Sequence, residues 1–175
     1  WSEGLREWQA RVESLRTWCP ELGLPDCSDT GLIATLDDWL LPYLDGKWRL
    51  SDLDADTFGE ALRSRLDYTQ RKQLDDYAPR ELTVPSGMTR KLTYQGDAPV
   101  LAVKLQELFG LADTPRIAKG KIAVVLHLLS PAQRPLQVTQ DLKGFWERTY
   151  PEVKKELKGR YPKHPWPDDP WTATP

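Results

Sequence analysis

The hydrophobic periodicity of this chain of 175 residues changes at about Pro79. Before that position, apolar residues recur at spacings of three and four, the period of a helix that packs on one face. After it, short runs alternate between apolar and polar residues, as strands do. The change predicts an α+β protein with a helical subdomain (1–79), an α+β subdomain (80–160) and an irregular tail rich in Pro and Trp (161–175).

Helical spacing in the first part predicts four helices. The first has Leu5, Trp8, Val12, Leu15 and Trp18 on one face, with Ser2 as its N-cap. The second helix is predicted to begin at Asp29 or Thr30 and to end near Pro42 and Gly46. The third is predicted to begin within 52–55, and the fourth to cover 68–77.

The second part is predicted to form a small, mostly antiparallel sheet with two packed helices. Alternation over 81–84 and 91–94, around a turn at 85–87, predicts a hairpin. Further strands are predicted within 114–119, over 121–129 as a buried central strand, and over 135–139. The two helices are predicted over 100–111, and from Thr139 or Asp141 to about Lys158, where Pro151 could split the second helix.

Charge is distributed unevenly along the chain. Residues 1–79 hold nine Lys or Arg and sixteen Asp or Glu, a net charge of −7. Residues 80–175 hold fifteen Lys or Arg and ten Asp or Glu, a net charge of +5. The C-terminal half is therefore the better candidate for contact with an anionic partner.

Three further features limit the class of protein. No apolar run approaches the roughly 20 residues of a membrane span. The chain opens at Trp1 without Met or a secretory leader, so we interpret it as part of a longer protein. Cys19 and Cys27 are eight positions apart, which permits a disulfide but favours free thiols in a reducing compartment. Neither His127 nor His164 lies near them in sequence, so no metal site is predicted.

A search for catalytic motifs finds no phosphate-binding loop, no dinucleotide fingerprint and no nucleophile elbow. Acidic pairs occur at 37–38, 75–76 and 168–169, where solvated carboxylates are the favoured interpretation. His127 lies inside an apolar strand, which favours a core or half-buried histidine over a catalyst. No catalytic residue is predicted.

The segment from 134 to 164 has a net charge of +4 and interleaved aromatic residues. Lysine and arginine neutralise phosphates, and flat rings stack on unpaired bases. These features are compatible with contact with nucleic acid, but composition alone favours an ordinary amphipathic helix with a solvated charged face and its aromatic residues in the core. The candidate nucleic-acid-binding residues are Arg134, Lys143, Arg148, Lys154, Lys155, Lys158, Arg160 and Lys163.

Within the tail, the stretch 161–170 combines four prolines with two aromatic anchors, Tyr161 and Trp166. Prolines lower the entropy that an extended segment loses on ordering. The tail is therefore predicted to be a strap, packed either on its own domain or on another domain of the same polypeptide.

Several long motifs resemble the C-terminal region of the HrpB type of bacterial DEAH-box RNA helicases. Together they cover most of the chain. The motifs are the block DDWLLPYL (37–44), VPSG (84–87), LAVKLQELFG (101–110), LLSPAQRPLQVTQDL (128–142), FW (145–146) and KGRYPKHPWPDDP (158–170).

The resemblance implies a cytoplasmic, ATP-dependent parent helicase whose ATP and Mg²⁺ sites lie in motor lobes upstream of this chain. No cofactor is expected in the chain itself, and the expected partners are those lobes. The first hypothesis is a non-catalytic accessory domain that packs on the motor and guides single-stranded RNA or DNA. The alternative is a structural or protein-interaction module that makes no contact with nucleic acid.

Overall fold

A computed structural model describes residues 1–44 and 54–175, which divide into two compact units. Unit 1 is Trp1–Ala78 and unit 2 is Pro79–Pro175. Unit 1 is helical and unit 2 contains the sheet, which confirms the predicted α+β class. The tail residues belong to unit 2.

Unit 1 begins with helix α1, Glu3–Trp18. The Ser2 hydroxyl accepts a hydrogen bond from the Leu5 amide at 3.3 Å, so the predicted N-cap is confirmed. The face with spacings of three and four is the buried one, because Val12 and Leu15 are 0% exposed. A short 3-10 turn, Pro20–Leu22, follows.

Two short helices come next, α2 (Asp29–Ala34) and α3 (Leu36–Trp39), and a 3-10 turn over Leu41–Leu44. The cap of α2 is Ser28, whose hydroxyl accepts from the Gly31 amide, so the predicted cap at Asp29 or Thr30 was wrong by one or two residues. The indole of Trp39 donates to the Leu32 carbonyl at 2.9 Å and ties the two helices together. Gly46, part of the predicted end, lies outside the described residues.

Helices α4 (Ala55–Arg63) and α5 (Tyr68–Tyr77) complete unit 1, and both have side-chain caps. Asp54 accepts from the Thr57 amide at 2.7 Å. Asp67 and Gln70 form a reciprocal capping box, which satisfies two helix-end amides at once. The predicted helix over 68–77 is confirmed, and the part of the predicted start at 52–53 lies outside the described residues.

Arg11 and both cysteines are buried in unit 1. The Arg11 side chain donates to the Ala78 carbonyl and to Asp75, both at 3.0 Å, and Arg11 is 6% exposed. The two cysteines are buried and form no disulfide, as predicted. Burial, with a smaller contribution from Glu13, raises the pKa of the Cys27 thiol to about 12, so this thiol stays protonated near neutral pH.

Unit 2 is built on a five-stranded sheet with the order β1-β2-β3-β6-β7. All neighbouring pairs are antiparallel except β3 with β6, which is parallel. The predicted hairpin is confirmed as β1 and β2. The strands are β1 (Glu81–Thr83), β2 (Thr89–Gln95), β3 (Ala98–Lys104), β6 (Val125–Leu129) and β7 (Pro135–Thr139).

A separate two-stranded hairpin, β4 (Arg116–Ile117) and β5 (Ile122–Ala123), lies between β3 and β6 in sequence. The predicted strand over 121–129 is therefore two strands, of which β6 is internal to the main sheet. Leu126 and Leu128 are 0% exposed, so the central part of this prediction is correct.

The predicted helix over 100–111 was wrong. Residues 98–104 form β3, and a 3-10 turn over Leu105–Leu108 follows it. Leu101, Val103 and Leu105 are buried at a spacing of two, the strand period. The strand forms because Leu101 and Val103 pair in register with Leu126 and Leu128 of β6, a non-local contact that spacing within one segment does not reveal.

The last helical segment covers α6 (Leu142–Gly144), a π-helical turn (Phe145–Thr149) and α7 (Tyr150–Arg160). Thr139 and Asp141 were the two predicted N-caps, and Asp141 is the N-cap observed, since its carboxylate accepts from the Gly144 amide. Pro151 lies in the first turn of α7, directly after the π-helical turn.

Candidate nucleic-acid interface

The inward side of the last helical segment consists of buried aromatic residues. Phe145, Trp146 and Tyr150 are 2–3% exposed. The Trp146 indole donates to the Leu111 carbonyl at 2.8 Å, and the Tyr150 hydroxyl donates to the Pro167 carbonyl at 2.7 Å. Burial raises the pKa of Tyr150 to about 12, with a smaller effect from Asp168. These rings are core residues, so Trp146 and Tyr150 do not offer stacking faces for bases.

The outward side of α7 carries its charges in two groups. With roughly 100° of rotation per residue, Lys154, Lys158 and Lys155 fall within one arc of about 100°, and Glu152 and Glu156 fall within the next arc. We call the three lysines the cationic flank of α7. Buried Leu157 lies on the inward face.

The three lysines of the cationic flank differ in how accessible they are. The Lys154 side chain is 19% exposed, and its ammonium forms an ion pair with Asp168 of the tail. Lys155 and Lys158 are exposed, and neither forms an ion pair with any residue in the described ranges. The pKa of Asp168 is lowered first by Lys154 and also by the charge of Lys158, so both ammonium groups act on this carboxylate.

The other candidate cations are dispersed. Arg134 is exposed in the β6–β7 turn, where its amide donates to the Ser130 hydroxyl. Lys143 is exposed on α6, and Arg148 pairs with Asp141 at 3.0 Å. Arg160, two residues beyond Lys158, points roughly 200° away from it around the helix. The structure therefore groups Lys154, Lys155 and Lys158 and does not place Arg134 or Arg160 with them.

The N-terminal end of the segment is fixed by Asp141. Its carboxylate accepts from the Gly144 amide at 2.9 Å and from the Arg148 guanidinium at 3.0 Å. The amide hydrogen bond and then Arg148 lower the pKa of Asp141. The carboxylate thus neutralises part of the charge of Arg148 and leaves Lys143 exposed beside it.

Residues 161–175, the tail strap, pack on unit 2 itself. Trp166 is 9% exposed, its indole donates to the Tyr161 carbonyl at 3.0 Å, and its ring meets Phe109 edge-on at 6.4 Å. Further along, the Gly110 amide donates to the Pro170 carbonyl at 2.7 Å. Of the two arrangements predicted for the tail, the structure has the strap on its own domain, with Tyr161 half-buried and Trp166 buried.

Three further observations concern His127, potential metal ligands and the hydropathy of the helices. His127 is half-buried in β6, opposite Ala102 and Val138. Among residues 1–44 and 54–175, no three His, Cys, Asp or Glu side chains are placed to hold a metal ion. Nor does any helix in those ranges have the length and hydropathy to cross a membrane.

Comparison with known proteins gives a consistent result. The model of a family described as ATP-dependent helicase C-terminal (HrpB_C) matches residues 39–170. The ATP-dependent RNA helicase HrpB of Escherichia coli (strain K12) is 47% identical over 176 residues, which cover 96% of this chain and 22% of the relative.

Two solved structures are also similar. A crystal structure of the E. coli DExH-box NTPase HrpB matches with a TM-score of 0.93 and 45% identity, over 100% of this chain and 22% of that one. A crystal structure of the E. coli DEAH/RHA helicase HrpB matches with a TM-score of 0.78 and 43% identity, over 95% of this chain and 21% of that one. The chain therefore spans about a fifth of the length of these relatives.

Proposed function

Because this chain belongs to the HrpB helicase C-terminal family, we propose that it is a non-catalytic accessory domain that packs on an ATP-dependent RNA helicase motor and guides single-stranded nucleic acid. The observation that carries the nucleic-acid part is the cationic flank of α7, where Lys155 and Lys158 are exposed side by side on one helix. Cations held on one face of a rigid helix can follow a phosphate backbone. The proposed location is the cytoplasm.

No residue of this chain is proposed to bind ATP or Mg²⁺. A phosphate-binding loop is absent from the sequence, and the described residues hold no cluster of three potential metal ligands. ATP and Mg²⁺ would belong to motor lobes elsewhere in the parent polypeptide. The contribution proposed for this chain is therefore positional rather than chemical.

The test is binding of a fluorescein-labelled single-stranded RNA to the full chain, measured by anisotropy as a function of salt. Lys155→Glu and Lys158→Glu are each expected to reduce the magnitude of the negative slope of log K against log salt by about 0.7. This is the value for one phosphate contact on a single strand. Lys72→Glu is the matched control, because Lys72 is an exposed lysine on α5 and the change in net charge is the same. Equal slopes in all four proteins would remove the cationic flank from the nucleic-acid path.

A second function, docking on the motor without contact to nucleic acid, is favoured by a different observation. In unit 1, Ile33 is 69% exposed, Leu36 is 38% exposed and Leu41 is 57% exposed, all within nine residues. Exposed apolar side chains that cluster commonly mark protein interfaces. Under this function, Ile33→Ser and Leu41→Ser would weaken association with the motor lobes, and no variant of the cationic flank would alter RNA binding by the parent helicase.

A further inference from the structure

The β4–β5 hairpin is a second basic element of unit 2. Its two strands are short, Arg116–Ile117 and Ile122–Ala123, and they pair with Arg116 opposite Ala123. Three cations lie within six positions: Arg116, Lys119 and Lys121, all exposed. We call residues 114–123 together with Lys143 the basic hairpin site.

The tip of the hairpin is held in a conformation that side chains disfavour. Ala118 and Lys119 have φ values of 53° and 56°, and Gly120 follows at 82°. Two consecutive residues with a Cβ in the left-handed region are costly for L-amino acids. The Gly120 amide donates to the Ile117 carbonyl at 3.1 Å, and Ala118 is 1% exposed, so packing fixes the tip. Strain of this kind concentrates where a loop has a task.

Side-chain hydrogen bonds fasten the stem of the hairpin to the start of the last helical segment. The Thr114 hydroxyl donates to the Gln140 carbonyl at 2.7 Å and accepts from the Leu142 amide at 2.9 Å. The Gln140 side chain donates to the Ala123 carbonyl at 3.0 Å. Since Ala123 is the cross-strand partner of Arg116, the hairpin lies beside the helix start that carries exposed Lys143.

Two carboxylates adjoin this site in sequence, Asp113 before the hairpin and Asp141 before Lys143. Asp141 accepts hydrogen bonds from the Gly144 amide and from Arg148, and these contacts lower its pKa. Asp113 is exposed. The Arg116 guanidinium, which donates to the Gly120 carbonyl at 3.1 Å, both supports the turn and stays exposed.

We propose that the basic hairpin site is a second contact for the phosphates of the strand that runs along the cationic flank of α7. This proposal rests on the proposed function, because it assumes that the chain meets nucleic acid. Lys143 and Lys155 are twelve residues apart on one helical segment, which is roughly 18 Å at 1.5 Å per residue. A single strand of a few nucleotides that follows the helix would meet both sites, and a phosphate at the hairpin would be bound by a preformed tip.

The test uses the full chain and a labelled single-stranded oligo(U) long enough to cover both sites. Lys119→Glu and Lys143→Glu are each expected to lower the salt slope of binding by about 0.7, with a several-fold loss of affinity at low salt. Lys72→Glu is again the control, and far-UV circular dichroism establishes that each variant is folded. Lys119→Gln gives a milder change at the strained tip and should lose part of the affinity that Lys119→Glu loses.

The outcomes separate this proposal from the one on which it rests. If Lys155→Glu lowers the slope and both basic hairpin variants match Lys72→Glu, the hairpin proposal is wrong and the cationic flank stands. If both groups of variants lower the slope, and the combination of Lys143→Glu with Lys155→Glu lowers it by their sum, both are supported. If the wild-type chain binds no oligo(U) at low salt, both are contradicted.

Discussion

Replacing Trp166 by alanine should release the tail strap from unit 2. The side chain is 9% exposed, and truncating a buried Trp to Ala costs about 3–5 kcal/mol. Trp171 lies in the same strap but is 38% exposed, so the same substitution there should cost only about 1–2 kcal/mol. The pair of variants thus compares a buried indole with a half-exposed one in the same segment.

Hydrogen exchange at the Gly110 amide measures the release directly, because this amide donates to the Pro170 carbonyl at 2.7 Å. A loss of about 3 kcal/mol corresponds to a roughly hundredfold faster exchange. Trp166→Ala should therefore remove most of the protection at Gly110, whereas Trp171→Ala should remove little. Equal protection in the two variants would refute the conclusion that Trp166 anchors the strap to its own unit.

Three further predictions concern stability. The pKa of Cys27 is about 12 in the folded chain and about 8.5 in an unfolded one. The free energy of unfolding should therefore fall by up to about 1.4 kcal/mol per pH unit above about pH 8.5. Urea unfolding across this pH range should show the fall in the wild type and not in Cys27→Ala. Arg11→Ala should destabilise unit 1 by about 2–3 kcal/mol because it removes the donor to a buried carbonyl. Asp75→Asn should cost less because the Asp75 side chain is 72% exposed. Similar losses of unfolding free energy for the two variants, measured by urea unfolding, would show that the exposed ion pair dominates. The fold lowers the pKa of the Asp141 carboxyl, so this cap stabilises the helix above about pH 4 and is lost as the pH falls through the pKa of the folded state. Acid titration followed by circular dichroism should show a smaller pH dependence of helix content in Asp141→Ala than in the wild type. An equal pH dependence in the two proteins would contradict the capping role.

The helices of unit 1 could be predicted because their signals are local. Leu5, Trp8, Val12 and Leu15 lie on one face through their spacing alone, and Ser2 caps the helix by contacting an amide three residues away. The capping box of α5 is equally local. Such interactions need no knowledge of what the helix packs against.

Segment 100–111 shows why other parts could not be predicted. Leu101, Leu105 and Leu108 are spaced as in a helix, yet β3 forms because Leu101 and Val103 pair with β6 across more than twenty residues. The parallel pairing supplies backbone hydrogen bonds that the segment cannot make alone, and these override the local pattern. The same limitation hid the basic hairpin site, whose hydrogen bonds to Gln140 and Leu142 are also non-local.

The candidate site was predicted in composition but not in geometry. The sequence identified the cations of 134–164, and the structure separates the exposed Lys155 and Lys158 from Lys154, which pairs with Asp168. The interleaved aromatic residues left stacking on bases and packing in the core as alternatives, and Trp146, which is 2% exposed, belongs to the core. Which side of a helix faces inward depends on the layer that covers it, and here that layer includes the tail strap.

Lysine footprinting tests the central claim most directly. The full chain would be reductively methylated with and without saturating single-stranded RNA, and the modification of each lysine would be quantified by mass spectrometry. Lys155 and Lys158 should become protected while Lys72 is modified equally in both samples. Unchanged modification of Lys155 and Lys158 in RNA-saturated protein would contradict the role assigned to the cationic flank of α7.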